Sequence, residues 1–148
     1  MAYHRHMTTR DTLITLTQDL IRIPSLSGEE SDIVRFIATV MENLGYDAIS
    51  IDELGSITGS IFGNAEGASI LLDCHIDTVG VENRHAWSAD PFAAEIRDEC
   101  IYGRGATDMK GAAAAMITAV ADFKQQTGGA FSGSVHVACT VCEECFEG

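Results

Sequence analysis

Leu71–Gly80 reads LLDCHIDTVG. An apolar, strand-forming run ends in His75-x-Asp77, and side chains two residues apart fall on the same face of an extended chain. A histidine that ligates a metal usually gives its second ring N–H to a carboxylate, which fixes the tautomer and raises the basicity of the ligating nitrogen. His-x-Asp at a strand end supplies both partners locally. Taken alone, the pair fits a commoner arrangement equally well, a strand-end histidine bonded to a surface aspartate. The decision rests on what other strand ends contribute.

Two do. IYGRGATDMKG, Ile101–Gly111, follows one strand-like run and precedes an apolar helix. Its Gly103-x-Gly105 opens like a dinucleotide-binding turn, but Asp108 occupies the place of the third glycine and would set a negative charge against a pyrophosphate. An aspartate at the positive end of a helix is instead held ionised, either as a simple cap or as a cation ligand. TVCEECFEG, Thr140–Gly148, also comes off an apolar strand and carries Glu143 and Glu144 between Cys142 and Cys145. Ligands of open α/β sheets bind at strand ends, so the convergence of His75/Asp77, Asp108 and Glu143/Glu144 is the argument for a site. One imidazole with several carboxylates suits Zn²⁺, Mn²⁺ or Co²⁺, whereas a thiolate site needs more sulfur than one Cys-x-x-Cys provides. The glutamates therefore read as functional and the cysteines as packing or incidental.

Around these stretches the chain reads as one α/β domain with a layered sheet. Leu13, Leu16, Leu20 and Ile21 follow a helical period from a cap at Thr8 or Thr9 to Pro24. Ser27 with Glu30 has the spacing of a capping box, and Ile33, Val34, Ile37, Val40, Met41 and Leu44 continue a second helix to Gly45. Tyr46–Ile51, Ser56–Phe62 and Ser69–Cys74 are predicted strands, the last two joined as a hairpin by Asn64-Ala65-Glu66-Gly67. Residues 77–91 lose all pattern and read as a long loop. Ala93–Arg97 and Cys100–Tyr102 form a further turn-linked pair, and Ala112–Phe123, apolar on nearly every side, is predicted as a helix buried between layers. Ser134–Val141 is the last strand, with Val135, Val137, Cys139 and Val141 on one face.

The 148 residues have 46% hydrophobic content and a mean hydropathy of +0.10, suiting one folded unit. Nine Lys and Arg against 22 Asp and Glu give a net charge of −13, which repels nucleic acid and anionic membrane. Five cysteines form no regular framework, and three lie in strand-like apolar runs, so a reducing, cytoplasmic setting is expected. MAYHRHMTTRD carries no apolar run of the signal-peptide kind, and no stretch is apolar for long enough to span a membrane. His4 and His6 read as part of a mobile tail.

HIDTV, WSADPF, GRGATDMKG and the Glu143-Glu144 pair, in this order and spacing, resemble the co-catalytic metallohydrolases related to acetylornithine deacetylase, succinyl-diaminopimelate desuccinylase, aminoacylases and glutamate carboxypeptidase. The likeness extends from the first helix to Gly148. Ala112 and Cys142 depart from the usual pattern without touching a proposed ligand. The resemblance implies a layered α/β/α zinc-peptidase-like catalytic domain with a mixed sheet, of which residues 1–148 are the N-terminal portion. It implies two divalent metals, zinc first with Co²⁺ or Mn²⁺ as alternatives: His75 on the first, Asp108 bridging, Glu144 on the second, Asp77 orienting His75, and Glu143 as general base. The reaction would be hydrolysis of an amide in an N-acyl amino acid or small peptide. It further implies a cis peptide bond at Asp108–Met109, additional ligands and an inserted domain beyond Gly148, and a homodimeric parent. Without those ligands this chain alone is expected to bind metal weakly and to be inactive. Two other readings remain: a binding or scaffold module that keeps the fold without the full site, and a Cys-x-x-Cys thiol or zinc protein.

Overall fold

The computed structural model describes residues 9–145. The expectations for the His4/His6 tail and for a cap at Thr8 fall outside them. Thr9–Arg22 (α1) and Ser31–Leu44 (α2) are the two amphipathic helices. Their apolar stripes, Leu16, Leu20 and Ile21 on the first and Ile33, Ile37, Val40 and Met41 on the second, are buried. Gly45 ends α2 in the left-handed conformation (φ 82°), with its N–H on Glu42 O. Ala48–Ile51 (β1), Ile57–Phe62 (β2), Ala65–His75 (β3), Glu95–Arg97 (β4), Cys100–Tyr102 (β5), Gly111–Thr127 (α3) and Ser132–Thr140 (β6) follow.

The main sheet has the order β1-β2-β6-β3, with β4 and β5 forming a separate antiparallel pair. This overturns the predicted β2–β3 hairpin. β6 inserts between them, antiparallel to β2 and parallel to β3. Ala65, Glu66 and Gly67, read from sequence as turn residues, lie at the start of β3, where the pairing shifts register between Ala65 and Ser69. Turn-type residues here mark an irregular strand entry, which local composition cannot distinguish from a reversal.

Period-2 alternation sorts the sheet into two faces. Ile57 and Ile61 of β2, Leu72 and Cys74 of β3, and Val137 and Cys139 of β6 share the face that meets the helices, and most are wholly buried. Thr58, Ser60, Phe62, Leu71, Ser134 and His136 share the other face. There His136 joins three serines, with Nδ1 at 2.7 Å from Ser60 Oγ and Nε2 at 3.0 and 2.9 Å from Ser69 and Ser134 Oγ. That is the structural role expected of a histidine among small polar residues.

The burial of α3 is one-sided. Ala113, Ala114, Ile117, Thr118, Val120 and Ala121 are buried, while Ala119 and Phe123 face solvent. Its small residues let it pack closely on α1 and the sheet, and they leave an outward stripe that hydropathy alone does not reveal. Cys74 and Cys139 are buried free thiols on neighbouring strands, but Cys100 and Cys145 are exposed.

Candidate metal centre

Because β3 and β6 run parallel with His75 opposite Thr140, both strands leave the sheet at the same edge. His75 ends β3 and is 7% exposed. The third contribution comes from the turn between β5 and α3. Gly105 adopts φ 75°, and Asp108 (φ −125°, ψ 99°) and Met109 (φ −132°, ψ 35°) depart from helical geometry before α3 begins. The Asp108–Met109 peptide bond is cis. The Asp108 carboxylate lies 3.0 Å from His75 Nε2 and stays 76% exposed. Beyond β6 the chain makes a short turn over Glu143–Cys145, preceded by Cys142 at φ 60°.

Ligand atoms of His75, Asp108 and Glu144 all lie within 4.8 Å of one another, the sole such group among the described residues. Glu143 Oε2 is 3.8 Å from His75 Nε2. Neither Cys142 nor Cys145 belongs to the group; Cys142 Sγ is turned to Glu30 Oε1 at 3.6 Å. One buried imidazole and two carboxylates, open on one side, match the nitrogen and oxygen donors that zinc, manganese or cobalt take.

Asp77 is fully buried at the centre of this edge. Its backbone carbonyl is 3.1 Å and its Oδ1 3.4 Å from His75 Nδ1. The same carboxylate accepts the N–H of Glu143 (3.1 Å) and of Glu144 (3.0 Å) and the hydroxyl of Ser27 (2.7 Å). Burial would push this carboxyl up, but the bonds from Ser27, Glu144 and Glu143 together hold it below its ordinary value. For His75, burial works against the charged imidazole. The Asp108 hydrogen bond, the nearby Glu143 charge and the Asp77 contacts outweigh it and hold the pKa above the usual value. A cation at Nε2 would take the place of that proton.

Four residues around this edge take roles that the sequence does not reveal. Ser27 and Glu30 do not form a capping box: α2 starts at Ser31, Glu30 stands at its N-cap position without capping through its side chain, and Ser27 serves Asp77. A Ser-x-x-Glu spacing is chemically the same in both roles, so only tertiary context separates them. Lys110 is completely buried, its ammonium on the carbonyls of Leu20 (3.0 Å) and Ile23 (2.7 Å) at the end of α1, and burial draws its pKa down to about 8. Arg104 donates to Gly80 O (3.2 Å) and lies 5.1 Å from the Trp87 ring centroid, giving the 77–91 loop a fixed attachment.

Over 116 residues the chain is 37% identical to a succinyl-diaminopimelate desuccinylase of Cereibacter sphaeroides (strain ATCC 17029 / ATH 2.4.9), a match covering 77% of this chain and 30% of that protein. The chain therefore spans about a third of the length of the curated relatives it matches. Its fold superposes on the M20 family metallo-carboxypeptidase Sso-CP2 of Sulfolobus solfataricus with a TM-score of 0.78 at 22% identity, covering 94% of this chain and 32% of the other. It also superposes on YXEP of Bacillus subtilis, described as a dinuclear metal binding peptidase from the M20 family, with a TM-score of 0.68 at 19% identity, covering 92% and 36%. The mixed sheet and its helices are thus those of M20 catalytic domains. Residues 71–148, the stretch that runs from the His75 strand through the glutamate pair, match peptidase family M20/M25/M40, and the chain belongs to that family.

Proposed function

We propose that these residues are the amino-terminal part of the catalytic domain of a metal-dependent amide hydrolase. Its substrate is an N-acyl amino acid or a small peptide. The observation that carries this reading is the meeting of His75, Asp108 and Glu144 within 4.8 Å at the edge where β3 and β6 end together. His75 would help to hold one metal and Glu144 another, with Asp108 shared between them; zinc is our first choice for this donor set. When bound, such a pair polarises an amide carbonyl and lowers the pKa of water.

The chain's own residues account for the rest. The Nδ1–H of His75 on the Asp77 carbonyl leaves Nε2 as the ligating nitrogen. Asp77 also anchors the backbone of the glutamate turn through its carboxylate, so one buried residue holds the imidazole by its carbonyl and the backbone of Glu143 and Glu144 by its side chain. Glu143 is 57% exposed and reaches towards the donor group, where its carboxylate can take a proton from an attacking water and return it to the leaving nitrogen. The sequence supplies two protein ligands to each metal. Firm zinc sites use three or four, so we expect weak binding and no turnover from this chain alone.

A zinc titration of the chain at equilibrium, carried into the millimolar range beside Asp108→Ala, tests the reading. Weak binding that the variant abolishes supports a shared Asp108. Equal binding by both chains contradicts it.

A further inference from the structure

The connection between α1 and α2 touches every loop that supplies the metal centre. At its start, the carbonyl of Ile23 accepts the Lys110 ammonium at 2.7 Å, two residues along from Asp108. Ser25 then bonds on both sides of the loop after β3, its hydroxyl donating to Ile76 O (2.7 Å) and its carbonyl accepting Thr78 N–H (2.8 Å). Leu26 bridges to Thr78. Ser27 donates to Asp77 Oδ2 at 2.7 Å. Finally Glu30 Oε1 accepts N–H bonds from Gly28 (2.9 Å) and from Cys142 (3.0 Å), the residue before the glutamate pair, with the Cys142 thiol at 3.6 Å.

Glu30 is the unusual member. It is 6% exposed, and among the described residues no cation pairs with it. Burying a carboxyl away from water without a counter-charge is costly unless its hydrogen bonds are needed. Here it replaces a neighbouring strand or helix as the acceptor for Cys142 N–H, at a residue forced to φ 60° where β6 turns towards the site. Two carboxylates thus fix the glutamate turn from below, Glu30 at residue 142 and Asp77 at residues 143 and 144, and Ser27 couples the second to the same connection.

We infer that the segment from Ile23 to Glu30 is a positioning strap for the metal centre, in which Glu30 acts as a hydrogen-bond acceptor that sets where Glu143 and Glu144 point. The inference rests on the metal-binding reading of Glu144 and extends it to residues that touch no metal. Outer partners of this kind are worth about 10–100-fold in metal affinity.

The test is a Co²⁺ titration of the full 148-residue chain, followed by its visible absorption into the millimolar range, for wild type, Asp108→Ala, Glu30→Ala, Glu30→Gln and Ser27→Ala. Circular dichroism establishes that each is folded. Glu30→Ala should weaken Asp108-dependent binding about tenfold or more and alter the cobalt spectrum. Glu30→Gln keeps the acceptor oxygen and drops the charge, so it should restore binding to within about twofold of wild type, a rescue that a charge requirement does not permit. If Glu30→Ala does not fold, Ser27→Ala carries the test, with a weakening of threefold or more expected by the same coupling through Asp77. Asp108-dependent binding that is indifferent to Glu30 and Ser27 overturns the strap alone, as does Glu30→Gln binding as poorly as the alanine variant. Absence of Asp108-dependent binding in wild type overturns the metal reading and the strap with it.

Discussion

The two halves of the sheet are paired differently and do different work. β1, β2 and β6 form an antiparallel half, whose strand ends alternate between opposite edges; β3 and β6 form a parallel half, whose carboxyl ends emerge side by side. All the residues read as ligands or as the base leave from the parallel half or from the turn into α3 beside it. β1 and β2 contribute none of the residues read as ligands or as the base. Parallel pairing is what allows residues far apart in sequence, such as His75 and Glu144, to share one edge.

The most severe way to break this division is at Gly133. It has φ 88° at the start of β6, and a Cβ there would overlap the carbonyl oxygen of Ala68 in β3. We expect Gly133→Ala to destabilise the chain by at least ~2 kcal/mol in urea unfolding and to weaken Co²⁺ binding, because it forces the parallel strands apart. An unchanged unfolding midpoint would show that the β3–β6 contact is not fixed as described. Gly59 is the matching position in the antiparallel half, where a Cβ would lie 2.8 Å from the Tyr46 ring and against the Met41 thioether. Methionine can adjust, so Gly59→Ala should cost about 1–2 kcal/mol and leave cobalt binding unaltered once folding is accounted for. A loss of binding as large as at Gly133 would erase the distinction between the halves.

A smaller effect sharpens the same comparison. Asp47, beside β1, pairs with Lys124 at 2.6 Å and accepts Phe62 N–H at 2.9 Å. The Lys124 hydrogen bond, opposed by slight desolvation and helped by Phe62, holds its carboxyl below the ordinary value of 3.8. The stability it contributes is therefore present above the unfolded-state value and is lost as pH falls through the lower folded one. Asp47→Asn should flatten the acid limb of a stability profile below about pH 4 and cost under ~1 kcal/mol at neutrality, since the pair is solvent-screened. An acid limb identical to wild type would remove Asp47 from the account. The least effect is expected for Leu71→Thr, on the open face of β3 and 61% exposed, which should stay within ~0.5 kcal/mol. A larger loss would mean that the face is covered in solution.

Helices were readable because each buries one periodic stripe against one surface, and α1 and α2 lie where Leu13–Ile21 and Ile33–Leu44 put them. The pairing of strands was not. Asn64–Gly67 has the composition of a hairpin turn, yet β3 pairs with a strand more than sixty residues later in the chain. The residues brought together at the site were legible from chemistry and spacing, since His-x-Asp, an aspartate before a helix and paired glutamates each end a strand-like run. Their supports were not, because Ser27, Glu30 and Lys110 act through tertiary contacts with no local signature.

The position of β3 at the outside of the sheet has a practical side. One rim of this 11-residue strand bonds to β6, and along its length Ile70 and Leu71 are 54% and 61% exposed. A long, apolar outer strand invites other copies to add on, ribbon to ribbon. Concentrated solutions of this chain should therefore scatter light increasingly with concentration despite the net charge of −13. A lysine in place of Leu71 should improve its solubility more than the same change at an equally exposed residue of α3.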